Sequence, residues 1–446
     1  MENPVYSNKI TKVVITPKRT SDGAEVRGGL EPVRIDNIVG EILYYETLFS
    51  PTTTATIIIA NPNAKQKLAD TFQIQGGEKI EFELMDYVSK NNKDTGYGLK
   101  QTMYVDQVTA YNSNQFVEVF KLNCSSTWVD TLDNINVTGT LTGTASNIAN
   151  QIYKTNFNKD ITYRDPSTEQ ISAVFGATKK DEPFPAIIEL ASKASTKNNA
   201  GFFFYQTKFG HHFKSLDGLI EEGKAKKNQQ TGALYEYTYT GINPGIENPN
   251  ISAVTILSLD QRFNNWTFKK AARFDQGIRT SFDPITSQSF YQPISGGEAP
   301  ENYYKYEGLD LKTVFENPED FKKAIEASNF KFSGKPEMIF RNPDDFCLLS
   351  ENPYKTKVPA TARYTNFFAR MITMVVPANT SLIAGSAVKL NIKKVKEGVN
   401  CSTEDEIIDT DAAGLYIVAA VCHAFDQQKA YSSVFLVRDL PFRKKN

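Results

Sequence analysis

The stretch Gly77-Glu-Lys-Ile-Glu-Phe-Glu-Leu84 has a counterpart at Gly385-Ser-Ala-Val-Lys-Leu-Asn-Ile392. Gly77 aligns with Gly385, Ile80 with Val388, Phe82 with Leu390 and Leu84 with Ile392. The shared positions keep period two, so both stretches read as strands with the same inward face. An apolar strand running into proline precedes each, Ile57–Pro62 in one case and Met374–Pro377 in the other. A hairpin pattern follows each, "MYVDQVTAYNSNQFVEVFKL" and "LYIVAAVCHAFDQQKAYSSVFLV", with Val105 and Val108 spaced like Val418 and Val421. Four elements in the same order predict two related small antiparallel β-barrels, one at each end of the chain. Barrels leave no free sheet edge.

Between the repeats the pattern changes. Ile148 and Ile152 lie four apart, a helical period, with Thr144 or Ser146 placed to cap. In "DEPFPAIIELASKAS", Ile187, Leu190, Ala191 and Ala194 share one face of a second helix, and Pro183 and Pro185 sit early, where a helix tolerates them. "GFFFYQTKFGHHFKSL" reads as a hairpin turning near Gly210. Further on, "NPEDFKKAIEA" predicts a short helix, and "TARYTNFFARM" predicts another with Tyr364, Phe367, Phe368 and Met371 on one face. The expected class is α+β, dominated by β. Expected domains are 1–133 (N-terminal barrel), 134–250 (α/β middle), 251–358 (irregular, β-rich insertion or continuation of the middle) and 359–446 (C-terminal barrel).

Charge and composition narrow the function classes. Lys and Arg number 50 against 51 Asp and Glu. That balance lacks the basic surplus of a dedicated nucleic-acid binder. The start, "MENPVYSNKI", has no apolar core of a secretory signal, and the longest apolar run, Leu415–Cys422, is far short of the ~20 residues of a membrane helix. Cys124, Cys347, Cys401 and Cys422 are dispersed without a CxxC, so neither a disulfide framework nor membrane insertion is expected, and synthesis in a reducing compartment is.

No chemistry-bearing constellation emerges. Cys422 and His423 are adjacent on an expected strand, so their side chains diverge and make a poor nucleophile–base pair. The first repeat carries Thr109 and Ala110 at those positions. His211 and His212 diverge in the same way, and there is no HExxH. "TGTLTGTAS" lacks the Lys-Ser/Thr of a phosphate loop. The expectation is no catalytic residue, no metal and no cofactor.

Two stretches carry a family resemblance. "PFPAIIELASKASTKNNAGFFFYQTKFGHHFKSLDGLI" resembles the segment of phage baseplate hub proteins in which a helix leads into an aromatic strand and a short glycine turn. "ITMVVPANTSLIAGSAVKLNI…GLYIVAAVCHAFDQQKAYSSVFLVRDL" resembles the last barrel of that family, placing Gly385, Gly414, Tyr416, Val418, Val421, His423 and Arg438-Asp439 on its positions. Ala378 stands where glycine is usual, and Ser386 where aspartate is. The resemblance is to the hub of contractile-tailed phages of the T-even-like, cyanophage type. It implies a structural homotrimer whose six barrels form a pseudo-sixfold ring between the sixfold tail tube and a threefold central spike. Implied partners are the spike and the tube or its initiator, with wedge or tape-measure proteins as further candidates, in the virion baseplate. No lysozyme-like or needle-like domain follows the last barrel, which favours a separate hub subunit. Charges at matching strands, Glu78, Glu81 and Glu83 against Lys389, Lys393, Lys394 and Lys396, are expected at the subunit interface. The alternatives are a tail-associated peptidoglycan hydrolase and a glycan- or receptor-binding tail protein; the 21 tyrosines suit the latter.

Overall fold

The computed structural model describes residues 3–263 apart from intervening short stretches, three strands between 276 and 340, and 364–438 apart from 394–407 and a few single positions. The first repeat comprises β1 (Lys9–Thr16), β2 (Val33–Arg34), β3 (Val39–Thr47), β4 (Thr54–Asn61), β5 (Lys79–Met85), β6 (Leu99–Ser113) and β7 (Glu118–Ser125). Alternation drives these strands. In β5, Ile80, Phe82 and Leu84 are buried while the residues between them are half-exposed. A one-residue slip would expose all three, at about 1.5–3 kcal/mol each.

The middle contains β8 (Gly139–Thr144) paired with β10 (Gln170–Phe175), and β9 (Tyr163–Arg164) paired in parallel with β12 (Gly210–Ser215), itself in a hairpin with β11 (Phe202–Thr207). Helix α1 (Ala145–Phe157) buries Ala145, Ile148, Ala149, Ile152 and Tyr153, one continuous helical face. It ends at Asn158, whose left-handed φ of 57° lets its N–H reach the Lys154 carbonyl. Thr144 occupies the N-cap without a side-chain cap bond. Helix α2 (Pro183–Lys193) starts on proline and buries Phe184, Ile187 and Leu190 against the same core. Helix α3 (Leu216–Lys224) is capped by Ser215, whose Oγ accepts the Gly218 N–H at 3.0 Å.

The second repeat draws strands from outside its expected range. β13 (Tyr235–Tyr239) and β14 (Ser258–Phe263) join β18 (Arg370–Pro377), β19 (Ala387–Ile392), β20 (Gly414–Asp426) and β21 (Ala430–Arg438). β15 (Gln276–Asp283), β16 (Gln288–Ser295) and β17 (Met338–Phe340) form a separate small sheet. Met371 belongs to β18, not to a helix with Tyr364. The helix expected over "NPEDFKKAIEA" lies outside the described residues.

The repeats match in strand pairing, glycine turn and first bulge, while β6 has a second bulge, between Thr109 and Asn112, that β20 lacks. β4-β7-β6-β5 and β18-β21-β20-β19 have the same pairing order, all antiparallel. The Gly77 N–H donates to the Val105 carbonyl and the Val105 N–H to the Glu78 carbonyl. The Gly385 N–H donates to the Val418 carbonyl and the Val418 N–H to the Ser386 carbonyl. Gly77 and Gly385 share a φ of 84°, in the left-handed region. The same bulge follows each valine, between Val105 and Gln107 and between Val418 and Ala420. Register pairs Ile57 with Leu122 and Met374 with Val434, so the two prolines named above are two positions out of step. The flanking strands differ. β1 runs antiparallel to β5, whereas β13 runs parallel to β19.

The fold is β-dominated: the described strands form one 13-stranded sheet through both repeats, and no closed barrel is seen among the described residues. The joint is β20, whose Ala420–Asp426 segment pairs with β3. Each repeat keeps its own apolar core, one around Ile57, Phe82 and Phe120, the other around Met374, Leu390 and Val434.

Candidate functional site

The most unusual segment is the connection between β18 and β19, Ala378–Ser386, where every residue is buried. Loops normally run over the surface because their backbone polar groups need water. Here side chains from both repeats replace it. Asp86, at the end of β5, accepts the Thr380 N–H at 2.9 Å and also the Thr380 hydroxyl. Glu46, on β3, accepts the Ala384 N–H at 3.1 Å through Oε2. Its Oε1 accepts the Lys208 N–H at 2.7 Å, from the β11–β12 turn, and the Tyr44 hydroxyl at 3.0 Å. The Asn379 N–H donates to the Ser432 hydroxyl oxygen at 3.1 Å, and its side-chain amide donates to the Tyr237 hydroxyl at 3.0 Å. One carboxylate, Glu46, thereby ties the first repeat, the middle region and the second repeat together.

Electrostatics at this junction follow from burial. Desolvation pushes the Glu46 carboxyl up to about 7, against the two backbone N–H donors that favour its charge. Burial pushes the Lys208 amine down, offset by Glu46 and Asp86. The amine donates to the Gly98 carbonyl at 3.1 Å. Sequence reasoning missed Glu46 and Asp86. The signal for Glu46 was available, because it shares the strand parity of the buried Ile42 and Tyr44.

The histidines are structural posts. His423 is buried, accepts the Ser432 hydroxyl at Nδ1 (2.8 Å) and donates from Nε2 to the Leu382 carbonyl (3.0 Å), with Tyr44 stacked 6.4 Å away. Desolvation brings it down to about 4, so it is the neutral imidazole that fills this place. Its neighbour Cys422 points to the other face, opposite Tyr45 of β3, and burial raises its thiol to about 11. His211 bridges the Tyr153 hydroxyl and the Pro51 carbonyl, both at 2.9 Å. His212 lies between the Tyr163 and Tyr205 rings, 4.6 and 4.7 Å from their centroids. Among the described residues, no group of three or more His, Cys, Asp or Glu could hold a metal ion, and no helix is long and apolar enough to cross a membrane.

The residues singled out from sequence divide three ways. Gly385, Val418 and Val421 form the frame of the second repeat. Gly414 has a φ of 129° and abuts Arg438, whose guanidinium covers the Tyr416 ring at 4.6 Å; the Tyr416 hydroxyl donates to the Ala412 carbonyl at 2.7 Å. Asp439 lies outside the described residues, as do Lys394 and Lys396. Glu78 is not an outward interface charge. It is fully buried, accepts Arg19 at 2.8 Å and the Gly76 N–H at 2.8 Å, and holds the turn into β5. Glu81 pairs with Lys79, Glu83 with Lys100 at 2.8 Å, and Lys389 with Glu236 at 3.2 Å. Lys393 is exposed and bridges to Ile408 through its backbone. β5 and β19 are interior strands of the sheet, so Glu81, Glu83 and Lys389 face outward from its surface and do not line an edge.

No protein-family model matches the sequence, and no curated protein matches it. Solved structures do. The crystal structure of the tail protein from Neisseria meningitidis MC58 superposes with a TM-score of 0.50 at 9% identity, covering 96% of this chain and 97% of that one. The chain shares its fold with a tail protein. The 43 kDa tail protein of prophage MuSo2 from Shewanella oneidensis gives a TM-score of 0.47 at 11% identity, over 96% of this chain and 100% of that one. The E. coli c3393 protein, a type VI secretion component described as similar to T4 phage tail proteins, gives 0.41 at 6% identity, over 91% and 74%. Structures similar to this chain thus include tail proteins and a type VI secretion system component.

Proposed function

We propose that the chain is a structural subunit of a contractile-tail baseplate hub. Three copies would form a ring of six repeats between a sixfold tube and a threefold spike. One observation carries the reading. Two repeats with the same pairing order, the same glycine and the same bulge lie in one chain, joined edge to edge through β3 and β20. A threefold assembly of such chains presents six like units, which is the geometric task of an adapter. The buried junction suits that task, because Glu46 and Asp86 of the first repeat hold the Ala378–Ser386 loop of the second. Partners on this reading are the central spike, the tube or its initiator, and wedge or tape-measure proteins, with the chain residing in the virion baseplate. Glu81, Glu83, Lys389 and Lys393 would contribute long-range steering from the sheet face.

The test is solution mass with symmetry from electron microscopy, alone and with the spike protein. A trimer with six similar lobes is expected. A monomer at high concentration, with and without the spike, refutes the reading.

A further inference from the structure

The seam between the repeats occurs once within the chain, yet each side of it has a duplicate. On one side is the edge of β3 that faces away from β4. Its duplicate is the edge of β14 facing away from β18, since β14 pairs with β18 as β3 pairs with β4. On the other side is the Ala420–Asp426 segment of β20, beyond the part that pairs with β19. Its duplicate is Gln107–Ser113 of β6, beyond the part that pairs with β5. Among the described residues, neither duplicate edge has a strand partner. The run Gln107-Val-Thr-Ala-Tyr-Asn-Ser113 also lacks the lysine or proline that commonly guards an open edge.

We infer that β14 of one copy of this chain pairs antiparallel with the Gln107–Ser113 segment of β6 in a second copy. The inference rests on the adapter reading and names its contact. Register transfers from the internal seam once the second bulge of β6, between Thr109 and Asn112, is counted. Cys422 lies opposite Tyr45 and Ala424 opposite Leu43. The equivalent positions put Thr109 opposite Arg262 and Asn112 opposite Asp260. No like charges face each other. Asp260 and Arg262 are already paired with one another at 3.3 Å on the exposed strand. The contact is head to tail, so it propagates until the ring closes. Internal and intermolecular seams would alternate around it with the same backbone pattern.

Cysteine pairs test the register, because directly opposed strand positions stand about 4.5–5.5 Å apart at Cα, within the range a disulfide spans. In a chain with Cys347, Cys401 and Cys422 replaced by serine, Thr109→Cys with Arg262→Cys should oxidise to a covalent ladder ending at the trimer. Asn112→Cys with Asp260→Cys should do the same if the first pair folds poorly. Thr109→Cys with Ser258→Cys, four positions or about 13 Å out of register, should stay unlinked. As a geometric control, Tyr45→Cys with native Cys422 should close within one chain. An equally efficient out-of-register link, an intrachain bond in the first two pairs, or a bond to a different tail protein overturns the proposal. A trimeric solution mass with neither in-register pair linked overturns it while leaving the adapter reading standing. A monomeric mass with neither linked overturns both.

Discussion

Replacing Glu46 with glutamine isolates the energetics of the junction. Burial raises the Glu46 carboxyl from 4.5 to about 7. A raised folded value means that the group's stabilising contribution is complete below pH 4.5 and is lost as pH rises through 7. Over that window the loss amounts to about 3 kcal/mol, at about 1.4 kcal/mol per unit. Glutamine does not titrate and removes this slope. It also costs one bond, because three donors converge on the carboxylate: the N–H groups of Lys208 and Ala384 and the Tyr44 hydroxyl. An amide offers a single acceptor oxygen, so one donor is left facing the NH2 group, a loss of about 1–3 kcal/mol. The Glu46→Gln chain should therefore be less stable than the parent at pH 5 and equal or better at pH 8. For 446 residues unfolding as one unit, the unfolding entropy is about 0.9 kcal/mol per degree. The difference in Tm between variant and parent should then change by roughly 3 °C between pH 5 and pH 8. His211 and His423, both held near 4 by burial, lose stability as pH falls below 6.5, but equally in both proteins, so they cancel in the difference. Thermal scans of the pair across this range decide the matter. Parallel curves would show that the backbone donors fully offset burial, and the reasoning would fail.

Two other outcomes are expected. Gly385→Ala combines a forbidden backbone angle with a Cβ driven into the Tyr205 hydroxyl, whereas Gly139→Ala, also at positive φ, meets nothing within 4 Å. Urea unfolding should show the first costing more than the roughly 1–2 kcal/mol of backbone strain that both share, and equal losses would count against it. Cys422→Ala should change stability by at most about 1 kcal/mol, and the raised thiol should alkylate more slowly at pH 8 than free cysteine; rapid labelling would contradict the assigned surroundings.

Strand parity made the repeat visible in sequence. Gly77 and Gly385, with Ile80, Phe82 and Leu84 against Val388, Leu390 and Ile392, preserve both the turn and the inward face. The same rule was available for Glu78, which shares the parity of Ile80 and is buried with it; reading its charge as a surface mark overrode the pattern. Helices α1 and α2 were legible because their apolar spacing is local. The single sheet was not, since the β3–β20 pairing depends on distant segments meeting and leaves no periodic trace. β13 and β14 were hidden for the same reason, each pairing with strands of the C-terminal repeat. Asp86 and Glu46 became significant only when the Ala378–Ser386 loop was seen buried between them.

The seam also sets an order of events at the ribosome. The Thr47 hydroxyl donates to the Ala419 carbonyl across 372 residues of chain. At about 5–20 residues per second, the β3 edge waits roughly 20–75 s after synthesis for its partner to emerge. Through that interval the first repeat carries two open edges, β3 and the end of β6, and Glu46 lacks its Ala384 donor. Nascent chains on neighbouring ribosomes therefore meet with templates exposed, and a truncated chain ending before β20 keeps them exposed permanently. Premature termination should yield aggregates of the N-terminal repeat, and the last strands synthesised act as the cover that makes the first ones safe.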